Sequence, residues 1–139
     1  MKKYAIVGDI ASGKSFFSKI LRIQGELVLD LDKLGKFISL KNELVREKFI
    51  ENFGREILDK EGFVIREKLR EIAFANQESL EKLNSIVHPI LRKKLLEILK
   101  NIKNRDRVFV EGAIIIEAGF SDIFDKIILI RTSIENQKN

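Results

Sequence analysis

Eight residues near the amino terminus have the types and spacing to hold phosphate. Gly8, Asp9, Ile10, Ala11, Ser12, Gly13, Lys14 and Ser15 run as G-x-x-x-x-G-K-S. In this pattern the glycines let the backbone wrap close to an anion and turn its N–H groups inward. A helix that follows presents its positive end to the same anion. Lys14 has the reach to meet the terminal phosphates, and the Ser15 hydroxyl can ligate Mg²⁺. Asp9 places a negative charge beside the phosphates, at a variable position of the pattern.

Phosphoryl transfer needs more than a cradle. It needs a carboxylate to prepare the acceptor hydroxyl, acids to hold Mg²⁺, and positive charge on the group in flight. Asp30 and Asp32 follow the apolar run Leu27 to Leu29, where a strand would deliver them to its carboxyl end. In open α/β sheets ligands bind beyond those ends. The pair suits a base and a water-bridged metal ligand; Asp30 reads equally as a cap for a helix beginning near Lys33, whereas the functional reading is the stronger one for Asp32. Glu111 closes the run Val108-Phe109-Val110 and is the best Walker-B-like acid; its alternative is a solvated strand end. Glu117 and Asp122 have weaker claims and read as loop or surface residues.

The elements that must position these groups follow from hydrophobic spacing. Tyr4 to Val7 is a short apolar run before a glycine turn and reads as a buried parallel strand. Phe16, Phe17, Ile20 and Leu21 have helical spacing, with Gly25 as the stop. Glu26 to Asp30 reads as a second strand, completing a βαβ unit. From Leu34 to Lys103 the apolar residues recur at helical intervals, broken at Gly54, at Asp59 to Gly62 and at Asn76. Pro89 is suited to the first turn of the last of these helices. Arg107 to Glu111 and Lys126 to Ile130 return to strand-like runs. The expected fold is α/β, a P-loop NTPase-type parallel sheet with flanking helices. Residues 1–33 and 104–139 form the nucleotide-binding core, and residues 34–103 form an inserted helical region.

Bulk properties narrow the functional classes. The chain has 139 residues, enough for one domain with a sizeable core. It has no cysteine, which excludes disulfide frameworks and thiolate metal sites and makes the cytoplasm the expected location. The longest apolar run, Ala113 to Ile116, is far too short to span a membrane. Net charge is +5 from 26 basic and 21 acidic residues. The two signs are interspersed and no basic block is long enough for a nucleic-acid arm, so neither nucleic acid nor membrane is an expected partner. No N-K-x-D base-reading motif follows the P-loop, which argues against a GTPase.

With these residues in view, the chain resembles the dephospho-coenzyme A kinases. The matches run in order: the P-loop GDIASGKS; the LDLDK segment with Asp30 and Asp32; FGREILDKEGFVIREKL from Phe53 to Leu69; LEKLNSIVHPILRKK from Leu80 to Lys94; and VFVEGAIIIEAGF from Val108 to Phe120. The P-loop alone is shared by many kinases, and the combination is much narrower. The resemblance implies an ATP-binding core, an inserted helical domain for the acceptor, and transfer of phosphate from ATP, with Mg²⁺, to the ribose 3′-hydroxyl of dephospho-CoA. It implies that Gly8 through Phe16 contact ATP, with Lys14 and Asp32 catalytic and Asp32 the base. Asp32, Arg66, His88, Pro89 and Arg92 are implied on the acceptor side, and Ser15, Asp30 and Glu111 at the metal. Taken without the resemblance, Arg66 reads as well as the start of a helix beside Glu67, His88 reads as often as a structural helix-entry residue as a functional one, and Arg92 has many equivalents among the surface charges.

Three departures from the family pattern stand out. Ala11 replaces a usual glycine. The family's D-x-P-L-L-F-E reads Glu111 to Glu117 here, so aspartate becomes glutamate, one methylene longer, and the proline is lost. The family's Q-x-x-R-x-x-R helix, which opens its arginine-bearing lid, is matched only by Gln137 before the sequence stops at Asn139. A form truncated before the lid and last strand is the expectation, with Lys126 to Ile130 an apolar sheet edge. Kinases for another small acceptor, and a non-catalytic nucleotide-binding fragment, are the alternatives.

Overall fold

The computed structural model describes residues 1–8 and 13–131. They divide into two compact units, one comprising Met1–Asp32 with the residues from Asn101 onward, the other Lys33–Lys100.

The first unit is built on four parallel strands: β1 (Lys2–Val7), β2 (Val28–Asp30), β3 (Arg107–Glu111) and β4 (Lys126–Leu129), in the order β2-β3-β1-β4. Helix α1 (Lys14–Ile23) links β1 to β2. The expected βαβ unit is therefore present, but β3 lies between its two strands. Because all strands are parallel, their carboxyl ends share one edge. Gly8, Asp30 and Glu111 emerge there.

Alternation along the strands decides the two faces. Ile6, Val28 and Phe109 form one apolar cluster, joined by Tyr4, Phe17, Leu21, Ile128 and Ile130. Phe17 and Leu21 are the stripe by which α1 lies on the sheet, and the Tyr4 and Phe109 rings stack with centroids 5.2 Å apart. Ala5, Val7, Val108 and Val110 are buried on the opposite face. Among the described residues β4 is an edge strand, and Ile127 and Leu129 are exposed on it.

The second unit is helical. α2 (Leu31–Lys41) starts immediately after β2 and runs into this unit; α3 (Glu43–Phe53), α4 (Arg66–Ala73) and α5 (Gln77–Asn101) follow. The break between α2 and α3 is made by Asn42, whose side chain accepts the Val45 N–H at 3.0 Å as an N-cap. Gly54 ends α3 with φ 85°, a left-handed conformation that favours glycine. A short 3₁₀ turn, Arg55–Ile57, then leads into a tight reversal. There Asp59 Oδ1 accepts the N–H groups of Glu61 and Phe63, both at 2.9 Å. Asn76 accepts the Ser79 N–H and starts α5.

Pro89 does not open the last helix. It lies inside α5, which runs 25 residues. An interior proline costs about 3 kcal/mol or more, because it leaves one carbonyl without its N–H partner. Val87, Leu91, Leu95 and Leu99 form an unbroken buried stripe across it, and each buried side chain contributes about 1.5–3 kcal/mol. Packing outweighs the proline, whose own ring faces solvent.

Candidate active site

The site begins where β1 gives way to α1. Gly13 precedes the helix with φ 86°, so the motif's second glycine occupies a backbone region closed to most side chains. Lys14 is the first residue of α1, with Ser15 and Phe16 exposed after it. Asp9, Ile10, Ala11 and Ser12 lie outside the described residues, as does Gln137.

Lys14 and Asp32 are brought together. Lys14 Nζ stands 3.7 Å from Asp32 Oδ2; the lysine side chain is 12% exposed and the aspartate 44%. Asp32 sits in the first turn of α2, where a negative charge is favoured by the helix dipole. The Ala113 N–H, 3.2 Å away, donates to the same carboxylate. This contact needs Gly112. A Cβ at Gly112 would meet Leu31 Cβ at 3.0 Å, so a larger residue would push the β3 exit away from α2.

Asp30 is the last residue of β2 and pairs in register with Glu111 on β3. Glu111 is not a solvated strand end: it is 7% exposed. Its Oε2 accepts a hydrogen bond from the fully buried Ser18 hydroxyl of α1. Its Oε1 lies 3.6 Å from Arg22 Nη2, which also donates to the Val28 carbonyl at 3.3 Å. Ser18, Arg22 and Gly112 were not singled out from sequence. The first two carry a readable signal, since Lys14, Ser18 and Arg22 recur every four residues along one helix face.

Apart from Asp32, the four other residues implied on the acceptor side lie in the helical unit. Arg66 is the exposed first residue of α4. His88 and Arg92 are half-buried one turn apart on α5, with Pro89 exposed beside them. The same unit holds a cavity of about 640 Å³ lined by Phe37, Ile38, Leu44, Ile90, Lys41 and Lys93 among others; none of the four acceptor-side residues lines it.

Among the described residues no three His, Asp or Glu side chains gather as a metal cage, and no helix is long and apolar enough to cross a membrane. A parallel sheet whose first strand passes through G-x-x-x-x-G-K-S into a helix, with the lysine held against an acid beyond the second strand, defines a P-loop kinase core. Comparison with known proteins narrows the class. The sequence model of the family described as Dephospho-CoA kinase matches residues 4–139. Dephospho-CoA kinase of Fusobacterium nucleatum is 42% identical over 137 residues, covering 96% of this chain and 68% of the relative. That of Aquifex aeolicus is 36% identical over 130 residues, covering 94% and 66%. Among solved structures, dephospho-CoA kinase from Campylobacter jejuni superposes with a TM-score of 0.75 at 32% identity, covering 93% of this chain and 66% of that one. The Thermus thermophilus protein TT1252 does so at 0.79 and 29%, covering 98% and 68%. The chain belongs to the dephospho-CoA kinase family, a family of transferases. It spans about two thirds of the length of these relatives.

Proposed function

We propose that this chain transfers the γ-phosphoryl group of ATP to the ribose 3′-hydroxyl of dephospho-CoA, giving coenzyme A and ADP. The observation that carries the reading is Lys14 Nζ held 3.7 Å from Asp32, at the carboxyl edge of the sheet of a chain from this family. Lys14 is assigned to the transferring phosphates. An arriving triphosphate competes with Asp32 for the lysine and frees the carboxylate. Asp32, half-exposed and steadied by the Ala113 N–H, then accepts the proton of the 3′-hydroxyl. Arg66, His88, Pro89 and Arg92 are assigned to the acceptor.

Mg²⁺ takes hard oxygen donors, usually one or two carboxylates with waters and phosphate oxygens, rather than an all-protein cage. The Ser15 hydroxyl and the carboxylates of Asp32 and Asp30 supply that chemistry, so the residues fit the ion. Ser15 and Asp30 would hold it, and when bound it would neutralise charge on the β- and γ-phosphates. The cysteine-free composition supports a cytoplasmic location.

A coupled ADP-release assay with ATP, Mg²⁺ and dephospho-CoA tests the reading, with coenzyme A identified by mass. ADP release that depends on dephospho-CoA is expected. Release only with another acceptor, such as a nucleoside monophosphate, would replace the substrate. ATP binding by calorimetry with no transfer to any acceptor would leave a nucleotide-binding module.

A further inference from the structure

The P-loop helix is tied to the sheet below its tip as well as at Lys14. At its amino terminus Gly13 provides no side-chain cap, and the first turn holds no acid. One face of α1 instead carries Lys14, Ser18 and Arg22 at four-residue intervals. The two lower positions converge on one carboxylate: Ser18 donates to Glu111 Oε2, and Arg22 lies 3.6 Å from Oε1. Arg22 also reaches the Val28 carbonyl on β2. Glu111 is thus occupied on both oxygens, nine-tenths buried, and joined to the helix one turn below the motif's lysine and serine.

Reach matters here. Carried on its two methylenes from the end of β3, the Glu111 carboxylate meets both Ser18 and Arg22 of α1. Ser18 lies three residues beyond Ser15, about 4.5 Å along the helix axis at 1.5 Å per residue. A shift of the clamp therefore moves Lys14 and Ser15 with it. Misplacement of about 1 Å in a phosphoryl-transfer site can cost on the order of 100-fold in rate.

We propose that Glu111 is a positioning residue: with Ser18 and Arg22 it sets the height of the P-loop helix against the sheet, and so the placement of Lys14 and Ser15 on the phosphates. Glu111 acts through the helix and not as a ligand of Mg²⁺. The proposal rests on reading Gly8 to Ser15 as a triphosphate cradle, and the test separates the two ideas.

The variants are Glu111→Gln, which keeps the shape and removes the charge, Glu111→Asp, which keeps the charge and shortens the reach, and Ser18→Ala, the mildest, which tests the clamp even where a change at Glu111 impairs folding. Amide hydrogen exchange without nucleotide probes the clamp by itself. In each variant the protected amides of α1 should exchange about tenfold faster or more, as expected for loss of a buried hydrogen bond to a charged group, while those of α5 keep their rates. Unchanged exchange in α1 overturns the proposal. Calorimetric titration with ATP, with and without Mg²⁺, then separates positioning from ligation. Positioning predicts that affinity falls by a similar factor, about tenfold, in both conditions. A loss confined to the Mg²⁺ titration identifies Glu111 as a metal ligand and overturns the proposal, as does Glu111→Asp behaving like wild type in both measurements. Wild-type protein that binds no ATP, with α1 exchange still responding to the variants, sinks the cradle reading while the clamp stands.

Discussion

The two units differ in what places the elements that carry the candidate site residues. In the sheet unit each polar group of interest is tied to another: Lys14 to Asp32, Asp32 to the Ala113 N–H, Ser18 and Arg22 to Glu111. The arrangement is a set of directional contacts that the ends of strands and the loop after β3 make with α1 and the first turn of α2. In the helical unit, the helices that carry Arg66, His88, Pro89 and Arg92 are themselves placed by apolar packing and turn chemistry, whatever polar contacts these side chains make. Val45, Phe49, Ile57, Leu69, Ala73, Leu91 and Leu95 are almost wholly buried there. Directional contacts fix individual atoms, as phosphoryl transfer requires. Apolar packing fixes whole helices and tolerates adjustment, which suits recognition of a larger acceptor.

The largest effect should come from the first region. Asp32→Asn removes the proposed base and keeps its size, and general-base contributions are typically about 10²–10⁴-fold. Turnover with ATP and dephospho-CoA should fall by that factor. ATP affinity, measured by calorimetry, should hold or tighten slightly, because Lys14 loses a competing partner. Undiminished turnover would remove Asp32 from the chemistry and with it the contrast drawn here.

Leu95→Ala tests the other side. The residue is fully buried on α5, four residues from Leu91 and from Leu99. Truncation at such a site destabilises by about 2–5 kcal/mol. Urea unfolding followed by circular dichroism should show that loss, with ATP affinity within about twofold of wild type when measured in buffer, since a factor of two is under 0.5 kcal/mol. A large loss of ATP affinity in the folded variant would mean that the nucleotide site depends on the packing of the helical unit.

What could be read in the sequence follows the same division. The P-loop is a continuous stretch whose residue types answer directly to phosphate, so its chemistry and its strand–helix context were both visible. The helical breaks at Gly54, Asp59 to Gly62 and Asn76 were visible because turn chemistry is local. The break at Asn42 was equally local, and the run Asn42-Glu43-Leu44-Val45 carries the capping signal that marks it. Pro89 misled because the local rule for proline was outweighed by a stripe of four buried residues, and packing of that kind is not local. The insertion of β3 between β1 and β2 was hidden for the same reason. So was the burial of Glu111, whose partners Ser18 and Arg22 lie about ninety residues earlier in the chain.

The smallest effect concerns the amino-terminal end of the sheet, opposite the site. Arg107 at the start of β3 donates through Nε to both oxygens of Glu26, each at 2.9 Å, and through Nη2 to one of them. These hydrogen bonds, reinforced by the charges of Arg107 and Arg105 against partial desolvation, hold the Glu26 carboxyl below its ordinary value. Asp125 is lowered in the same direction, chiefly by accepting the Lys3 N–H at 2.8 Å. A carboxyl whose folded pKa is depressed stabilises the fold in full above its unfolded value, about 4.3 for glutamate, and loses that contribution as pH falls through the folded value. Glu26→Gln should therefore lower the urea midpoint slightly at neutral pH, and the gap to wild type should close as pH falls below the ordinary glutamate value and through the lowered folded one. Salt of about 1 M should narrow the gap at neutral pH, because an exposed pair is screened. A gap that is independent of pH would assign the role of Glu26 to packing alone.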